Sequence, residues 1–101
     1  MFEPTKSRYM TRGFAVTIPL RVQYALWNMI NDIPEKVEKD YLQVFRLQVT
    51  EDGITVTQHQ EVPEYRKTIK LKRVDSAHFE DCKVFIIDDG ARVTAMLAEE
   101  Y

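Results

Sequence analysis

The sequence is poor in the residues that build the commonest metal, disulfide and nucleotide sites. Its 101 residues include one cysteine, Cys82, which excludes an internal disulfide and a cysteine-based metal cluster. Its three glycines, Gly13, Gly53 and Gly90, stand far apart, so the chain has no glycine-rich loop to cradle a phosphate. We therefore expect no nucleotide hydrolysis, no metal site and no cofactor.

The chain also lacks long hydrophobic runs and a strong excess of charge of either sign. No segment approaches the ~18 apolar residues of a membrane span, and the first residues lack the apolar run of a secretory signal. By elimination we expect a cytoplasmic protein that does not contact a membrane. The net charge of -2 disfavours a dedicated nucleic-acid binder, because such domains are usually strongly basic.

The composition is that of a folded globular protein. Hydrophobic residues make up 45% of the chain and charged residues 30%, and the length is too short for two self-sufficient cores. Residues 1–7 are mostly polar and contain Pro4, so we expect a flexible N-terminal lead-in. Residues 8–101 are predicted to form a single α+β domain.

Hydrophobic spacing predicts one amphipathic helix over Leu20–Asp32. Pro19 stands where a first helical turn begins, and Pro34 ends the helix because the residue before a proline disfavours helical geometry. Before the helix, Arg8–Ile18 is rich in β-forming residues and is predicted to be a strand, with Gly13 at a bulge or close approach. The apolar stripe of the helix consists of Val22, Leu26, Met29, Ile30 and Ile33.

An Asp-Gly pair predicts a first hairpin after the helix. Tyr41–Thr50 and Ile54–Val62 are predicted strands joined by a two-residue turn at Asp52–Gly53, which sets Val49 opposite Val56. This register separates an apolar face from a polar one. The predicted core face carries Phe45, Leu47, Val49, Ile54 and Val56.

A second Asp-Gly pair predicts a second hairpin. Lys83–Asp88 and Arg92–Ala98 are joined at Asp89–Gly90, which sets Ile86 opposite Val93. Arg66–Arg73 reads as a further strand. The predicted fold is therefore one helix packed on a mainly antiparallel sheet of about six strands, either open or curled into a partial barrel.

The order of short motifs along the chain carries a resemblance to a known family. The motifs are Arg8–Gly13, Leu26–Trp27, Asp40–Phe45, Gln60–Tyr65, Ile86–Gly90 and Leu97–Tyr101. Together they resemble the domain-of-unknown-function family numbered 960, small proteins of Firmicutes bacteria. The resemblance implies a bacterial cytosolic protein and assigns no activity, cofactor or catalytic residue.

Candidate catalytic groups are few, and each has a structural explanation. His59, His78 and Cys82 fall short of the ligands and geometry of a zinc site, and no oxyanion hole accompanies a Cys82–His78 nucleophile pair. The acidic pairs Asp88–Asp89 and Glu99–Glu100 are explained by turn chemistry and by a solvated tail. We therefore expect a protein that is not an enzyme.

Two surfaces are candidates for a partner. The first is a strand face that carries Arg66, Thr68, Lys70 and Lys72. This face is either a basic contact for nucleic acid or a sheet edge that lysines protect from aggregation.

The second candidate surface is apolar and is formed by Phe85, Ile87 and Met96. These side chains lie on the face opposite the predicted core, so they are either exposed for a partner or buried by a curled sheet. The favoured hypothesis is a non-catalytic protein-interaction module or small homo-oligomer. The alternative is a nucleic-acid-associated accessory protein that uses the basic strand 66–73.

Overall fold

The computed structural model describes residues 1–72 and 80–101. The elements are β1 (Arg8–Met10), α1 (Arg12–Thr17), α2 (Leu20–Asn31), β2 (Leu42–Thr50), β3 (Gly53–Gln60), β4 (Tyr65–Lys72), β5 (Cys82–Asp88), β6 (Val93–Leu97) and a 3₁₀ turn (Ala98–Glu100). No helix among these elements is long and apolar enough to cross a membrane.

The six strands form one open sheet in the order β1-β6-β5-β2-β3-β4. Strand β1 pairs parallel with β6, and the other neighbours pair antiparallel. Strands β1 and β4 are the two edges, so the sheet does not close on itself. The α+β prediction is confirmed, and the sheet is open rather than a partial barrel.

Helix α2 covers one face of the sheet, as its apolar stripe predicts. It begins after Pro19, whose backbone is extended, and ends at Asn31, one residue short of the prediction. Gln23 is 6% exposed and donates a 2.8 Å hydrogen bond from Nε2 to the carbonyl of Ile18. The helix buries Val22, Leu26, Met29 and Ile30 against Phe45, Leu47, Ile54, Val56, Val84, Ile86, Val93 and Ala95.

The prediction of a strand over Arg8–Ile18 is wrong beyond its first residues. The chain leaves β1 at Met10, and the Thr11 hydroxyl accepts a 3.2 Å hydrogen bond from the Phe14 N–H, which caps helix α1. The helical turn places Phe14 and Ile18 in the core with 0% and 2% exposure. Capping and burial therefore override the β propensity of this segment.

Both predicted hairpins form, but each register is displaced by two residues. In the first, Val49 faces Ile54 and Leu47 faces Val56, so the turn is Glu51-Asp52. A displacement of two residues leaves every side chain on its predicted face. The separation of core and polar faces survives, although Val49 lies near the turn and is 45% exposed.

The second hairpin turns through a longer loop than predicted. Asp88 faces Val93, and Ile86 faces Ala95. The Asp89 carboxylate accepts hydrogen bonds of 3.0 and 2.9 Å from the N–H groups of Ala91 and Arg92. This local bonding stabilises a four-residue connection in place of a two-residue turn.

Phe2 and Lys6 attach residues 1–7 to the domain, while the other five residues of this segment, which we expected to be a flexible lead-in, are exposed. The Phe2 side chain is 4% exposed and belongs to the hydrophobic core. The Lys6 ammonium bonds the buried carboxylate of Asp88 at 2.9 Å. Segment polarity does not reveal this docking, because it depends on one aromatic ring and one distant carboxylate.

Candidate functional site

One face of the sheet carries no helix, and both predicted partner surfaces lie on it. Strand alternation places these side chains opposite the α2 layer, and we term their surface the open face. It consists of Tyr9, Leu42, Val44, Arg46, Gln48, Thr50, Thr55, Thr57, His59, Arg66, Thr68, Lys70, Lys72, Lys83, Phe85, Ile87, Thr94 and Met96. The tertiary structure therefore joins two surfaces that are separate in the sequence.

The apolar part of the open face is larger than the predicted set of three residues. Phe85 lies directly between Met96 on β6 and Val44 on β2, and Ile87 lies opposite Leu42. All five side chains are half-buried. We term these five residues the apolar block. Sequence reasoning misses Leu42 and Val44 because only the β2–β5 pairing places them beside Phe85 and Ile87.

Two tyrosines contribute to the rim of the apolar block. The Tyr101 ring meets the Phe85 ring edge to face, with centroids 5.6 Å apart and planes at 80°. Tyr9 lies on the edge strand, where the guanidinium of Arg92 stands 5.3 Å from its ring centroid. Their exposed fractions are 81% for Tyr101 and 50% for Tyr9, so aromatic surface borders the block.

The predicted basic set lies on edge strand β4. Arg66, Thr68, Lys70 and Lys72 are all exposed and share the open face. The hydroxyls of Thr57 and Thr68 lie 3.3 Å apart across the strand pair. Arg73, the last residue of the predicted strand, lies outside the described residues.

A shallow depression lies between the basic and apolar parts of the open face. Its volume is ≈ 350 Å³. Arg46 faces Lys83 across β2 and β5, and His59 faces Arg66 across β3 and β4. We term it the basic depression; its lining is Leu42, Val44, Arg46, Thr57, His59, Glu61, Arg66, Lys83 and Phe85.

Positive charge is concentrated on the open face. Five of its strand residues are basic, namely Arg46, Arg66, Lys70, Lys72 and Lys83, and none is acidic. Glu61, just beyond the end of β3, is the carboxylate that reaches the depression lining. The whole chain carries a net charge of -2, so this surface differs in sign from the average of the molecule.

Cys82 lies in a setting that suppresses thiol chemistry. Burial, assisted by the carboxylates of Asp81 and Glu99, raises the pKa of the Cys82 thiol to about 11. A thiol with this pKa is protonated at neutral pH and is a weak nucleophile. His78, the other half of the candidate pair, lies outside the described residues. Within the described residues, no cluster of three or more His, Cys, Asp or Glu side chains is arranged to hold a metal.

The carboxylates of Asp88, Asp89 and Glu100 accept hydrogen bonds from backbone N–H groups and from the Thr11 hydroxyl, and the two acidic pairs do not form one shared site. The Asp88 carboxylate accepts a 2.6 Å hydrogen bond from the Phe2 N–H and is buried, whereas Asp89 binds its own loop. Glu100 Oε1 accepts a 2.6 Å hydrogen bond from the Thr11 hydroxyl. That hydroxyl holds the pKa of Glu100 below its usual value. These contacts join the two ends of the chain.

Comparisons with known proteins return relatives of unassigned function. Residues 7–100 match a family described as "Staphylococcal protein of unknown function". A solved structure described as a protein of unknown function from Enterococcus faecalis is 27% identical, with a TM-score of 0.83 over 100% of this chain and 98% of that one. A search of curated proteins returns no match. The fold and the family match agree with the resemblance in the sequence. Neither description names a ligand.

Proposed function

Since the chain belongs to the DUF960 family of proteins of unknown function, we propose its function from its own surface: a non-catalytic protein-interaction module of the bacterial cytoplasm. The observation that carries the proposal is the apolar block on the open face. Five neighbouring apolar side chains on a helix-free sheet face form the type of patch that marks a protein contact.

The arrangement of the face also fits a protein contact. Interfaces typically have an apolar centre and a polar rim, with aromatic residues and arginine enriched. Here Tyr9, Tyr101 and Arg46 all lie beside the apolar block. The sheet beneath the apolar block packs with its other face against α2.

Site-specific photo-crosslinking in the native cells tests this function. A photoreactive amino acid replaces Met96 on the open face, and in a matched control it replaces Val16, which is 74% exposed on helix α1. We expect a cross-linked adduct heavier than the 11.9 kDa chain from position 96 and none from position 16. Addition of Phe85→Glu should remove the adduct while the far-ultraviolet circular dichroism stays unchanged. Equal adducts from both positions, or none from position 96, would refute the proposed docking face.

A second candidate function is nucleic-acid binding, which the five cations of the open face favour. Arg66, Lys70 and Lys72 form a row along β4 that could track a phosphate backbone. Binding of this type weakens steeply with salt. A filter-binding titration with single-stranded DNA at low and high salt tests it, and absence of binding at low salt would exclude it.

A further inference from the structure

We propose that the basic depression receives the carboxylates of an acidic amphipathic helix, presented by the partner protein whose apolar stripe covers the apolar block. This inference rests on the proposed function and specifies the partner's chemistry. Four observations support it: one pair of like charges that face each other, the lack of ion pairs for the cations of the depression, the size of the apolar block, and its direct contact with the depression.

The first observation is that like charges face each other across paired strands. Arg46 on β2 stands directly opposite Lys83 on β5. Like charges at facing positions of an antiparallel pair destabilise the sheet. An anion seated between the strands would reverse the sign of this interaction.

The second observation is that these cations have no ionic partner within the described part of the chain. The ion pairs that the structure shows involve the carboxylates of Glu3 and Asp88, and neither residue lines the depression. Arg46, Arg66 and Lys83 are all exposed. Their hydrogen-bond donors therefore remain available, and a guanidinium matches the geometry of a carboxylate with two parallel bonds.

The third observation is the size of the apolar block. It crosses three neighbouring strands, and a strand spacing of about 4.8 Å makes it roughly 10 Å wide. An α-helix is about 10 Å in diameter, so one helix covers this width. Helix α2 already covers the other side of the same sheet in this way, with Leu26 and Ile30 fully buried.

The fourth observation is that the block and the depression are continuous. Leu42, Val44 and Phe85 belong to both surfaces. A helix lying on the block therefore places the residues of its flank over Arg46 and Lys83. Acidic residues on that flank would be paired, whereas basic residues would add to the existing repulsion.

Charge also decides between this occupant and two others. In a face-to-face dimer of this chain, two copies of the same cationic surface would approach each other, which is unfavourable. Single-stranded nucleic acid would satisfy the cations, and Tyr9, Phe85 and Tyr101 offer rings on which bases stack, but the other four residues of the apolar block are not aromatic and would stay uncovered. An acidic helix satisfies both the cations and the aliphatic surface.

A titration with three probes tests the proposal on the full chain. The first probe is a synthetic peptide of about 18 residues with leucine at helical spacing and glutamate along one flank. The second is the same peptide with lysine in place of each glutamate, and the third is a single-stranded DNA of about 15 nucleotides. Backbone NMR shifts locate binding, and fluorescence anisotropy measures affinity. We expect the glutamate peptide to bind best and to shift signals of β2 and β5.

Two variants and a matched control assign the effect to the depression. Arg46→Gln and Lys83→Gln should each weaken binding of the glutamate peptide about fivefold, the value of one exposed charge pair. Lys67→Gln changes a lysine on β4 whose position alternates to the other face of the sheet, and should leave affinity unchanged. Thermal unfolding of each variant shows whether the fold is intact.

The outcomes separate this inference from the proposed function. Any of four results would overturn the proposal of an acidic partner. They are equal binding of the lysine peptide, tighter binding of the DNA, no binding of the glutamate peptide at low salt, and unchanged affinity for that peptide in Arg46→Gln. If the adduct from position 96 persists in any of those cases, the protein-interaction module stands and only the partner's chemistry is wrong. If neither the adduct from position 96 nor binding of the glutamate peptide is observed, the open face is not a docking surface.

Discussion

The buried carboxylate of Asp88 accepts a 2.6 Å hydrogen bond from the backbone N–H of Phe2, a residue 86 positions earlier in the chain. The same carboxylate accepts bonds of 3.0 and 2.9 Å from the Lys6 ammonium and one of 2.8 Å from the Gly90 N–H. One side chain at the end of β5 therefore holds both the N-terminal segment and the loop before β6. It explains why the beginning of the chain is docked.

Replacement of Asp88 should make the free energy of unfolding less dependent on pH in the acidic range. Burial acts to raise the pKa of Asp88, but the bonds from Phe2, Lys6 and Gly90 outweigh it and hold the pKa below its usual value. Such a carboxyl contributes stability above its unfolded pKa of about 4, and this is lost as the pH falls through the folded pKa. We expect Asp88→Asn to lower the free energy of unfolding by about 2–3 kcal/mol at neutral pH, with the difference shrinking in acid.

Urea unfolding of Asp88→Asn between neutral pH and about pH 2 checks this expectation. Glu35→Gln, an exposed loop substitution, is the control and should parallel the parent protein. A constant difference between Asp88→Asn and the parent across the range would contradict the assignment.

Truncation of Phe2 should destabilise the domain although the residue lies at the start of the chain. Its ring is 4% exposed and packs in the hydrophobic core. We expect Phe2→Ala to lower the free energy of unfolding by about 3 kcal/mol, the value typical of a buried aromatic ring. Thr5→Ala, at an exposed position of the same segment, should change it by less than about 0.5 kcal/mol. Equal effects in chemical denaturation would show that the segment is not docked.

A methyl group at Gly13 should displace Glu100. A Cβ atom there would lie 2.5 Å from Glu100 Oε2, while Oε1 is held by the Thr11 hydroxyl and, at 2.9 Å, by the Leu97 N–H. We expect the loss of these exposed bonds to offset the helix-propensity gain of Gly13→Ala, so that the substitution changes the free energy of unfolding little.

A double-mutant cycle tests that explanation. In a Glu100→Ala background, Gly13→Ala removes no carboxylate contact and replaces a helical glycine, so it should stabilise by about 0.5–1 kcal/mol. Thermal unfolding of the four proteins measures the coupling. Additive effects would rule out the contact between these two positions.

Neutralisation of Lys83 should stabilise the unbound protein while it weakens binding. Lys83 faces Arg46 on the neighbouring strand, and relief of this repulsion is worth about 0.5 kcal/mol. We expect Lys83→Gln to raise the free energy of unfolding by that amount at low salt and by less at high salt. Lys36→Gln, in an exposed loop, serves as the control. A loss of stability in Lys83→Gln would show that the lysine has a structural role.

The Cys82 thiol should react slowly with thiol reagents. A pKa of about 11 compared with an ordinary value of 9.0 leaves roughly 100-fold less thiolate near pH 8. We expect labelling by a chromogenic disulfide to be slower than that of free cysteine by at least this factor, and to accelerate when the protein is unfolded in urea. Rapid labelling of the folded protein would revive a nucleophilic role for Cys82.

The sequence by itself determined the local preferences of the chain and the division of side chains between faces. Helix α2 follows from an apolar stripe bounded by Pro19 and Pro34, and the core faces of the strands follow from alternation. The family relationship is also readable from motif order. These features depend on residues close together in the chain, so a linear pattern contains them.

Tertiary structure alone decided strand register, strand order and the composition of the open face. A two-residue displacement of both hairpins keeps every side chain on its face, so hydrophobic alternation cannot distinguish the two registers. Placing Phe85 beside Val44 and Lys83 beside Arg46 requires the pairing of β5 with β2, which are distant in sequence. Non-local pairing and packing therefore decide which apolar and basic side chains share one surface.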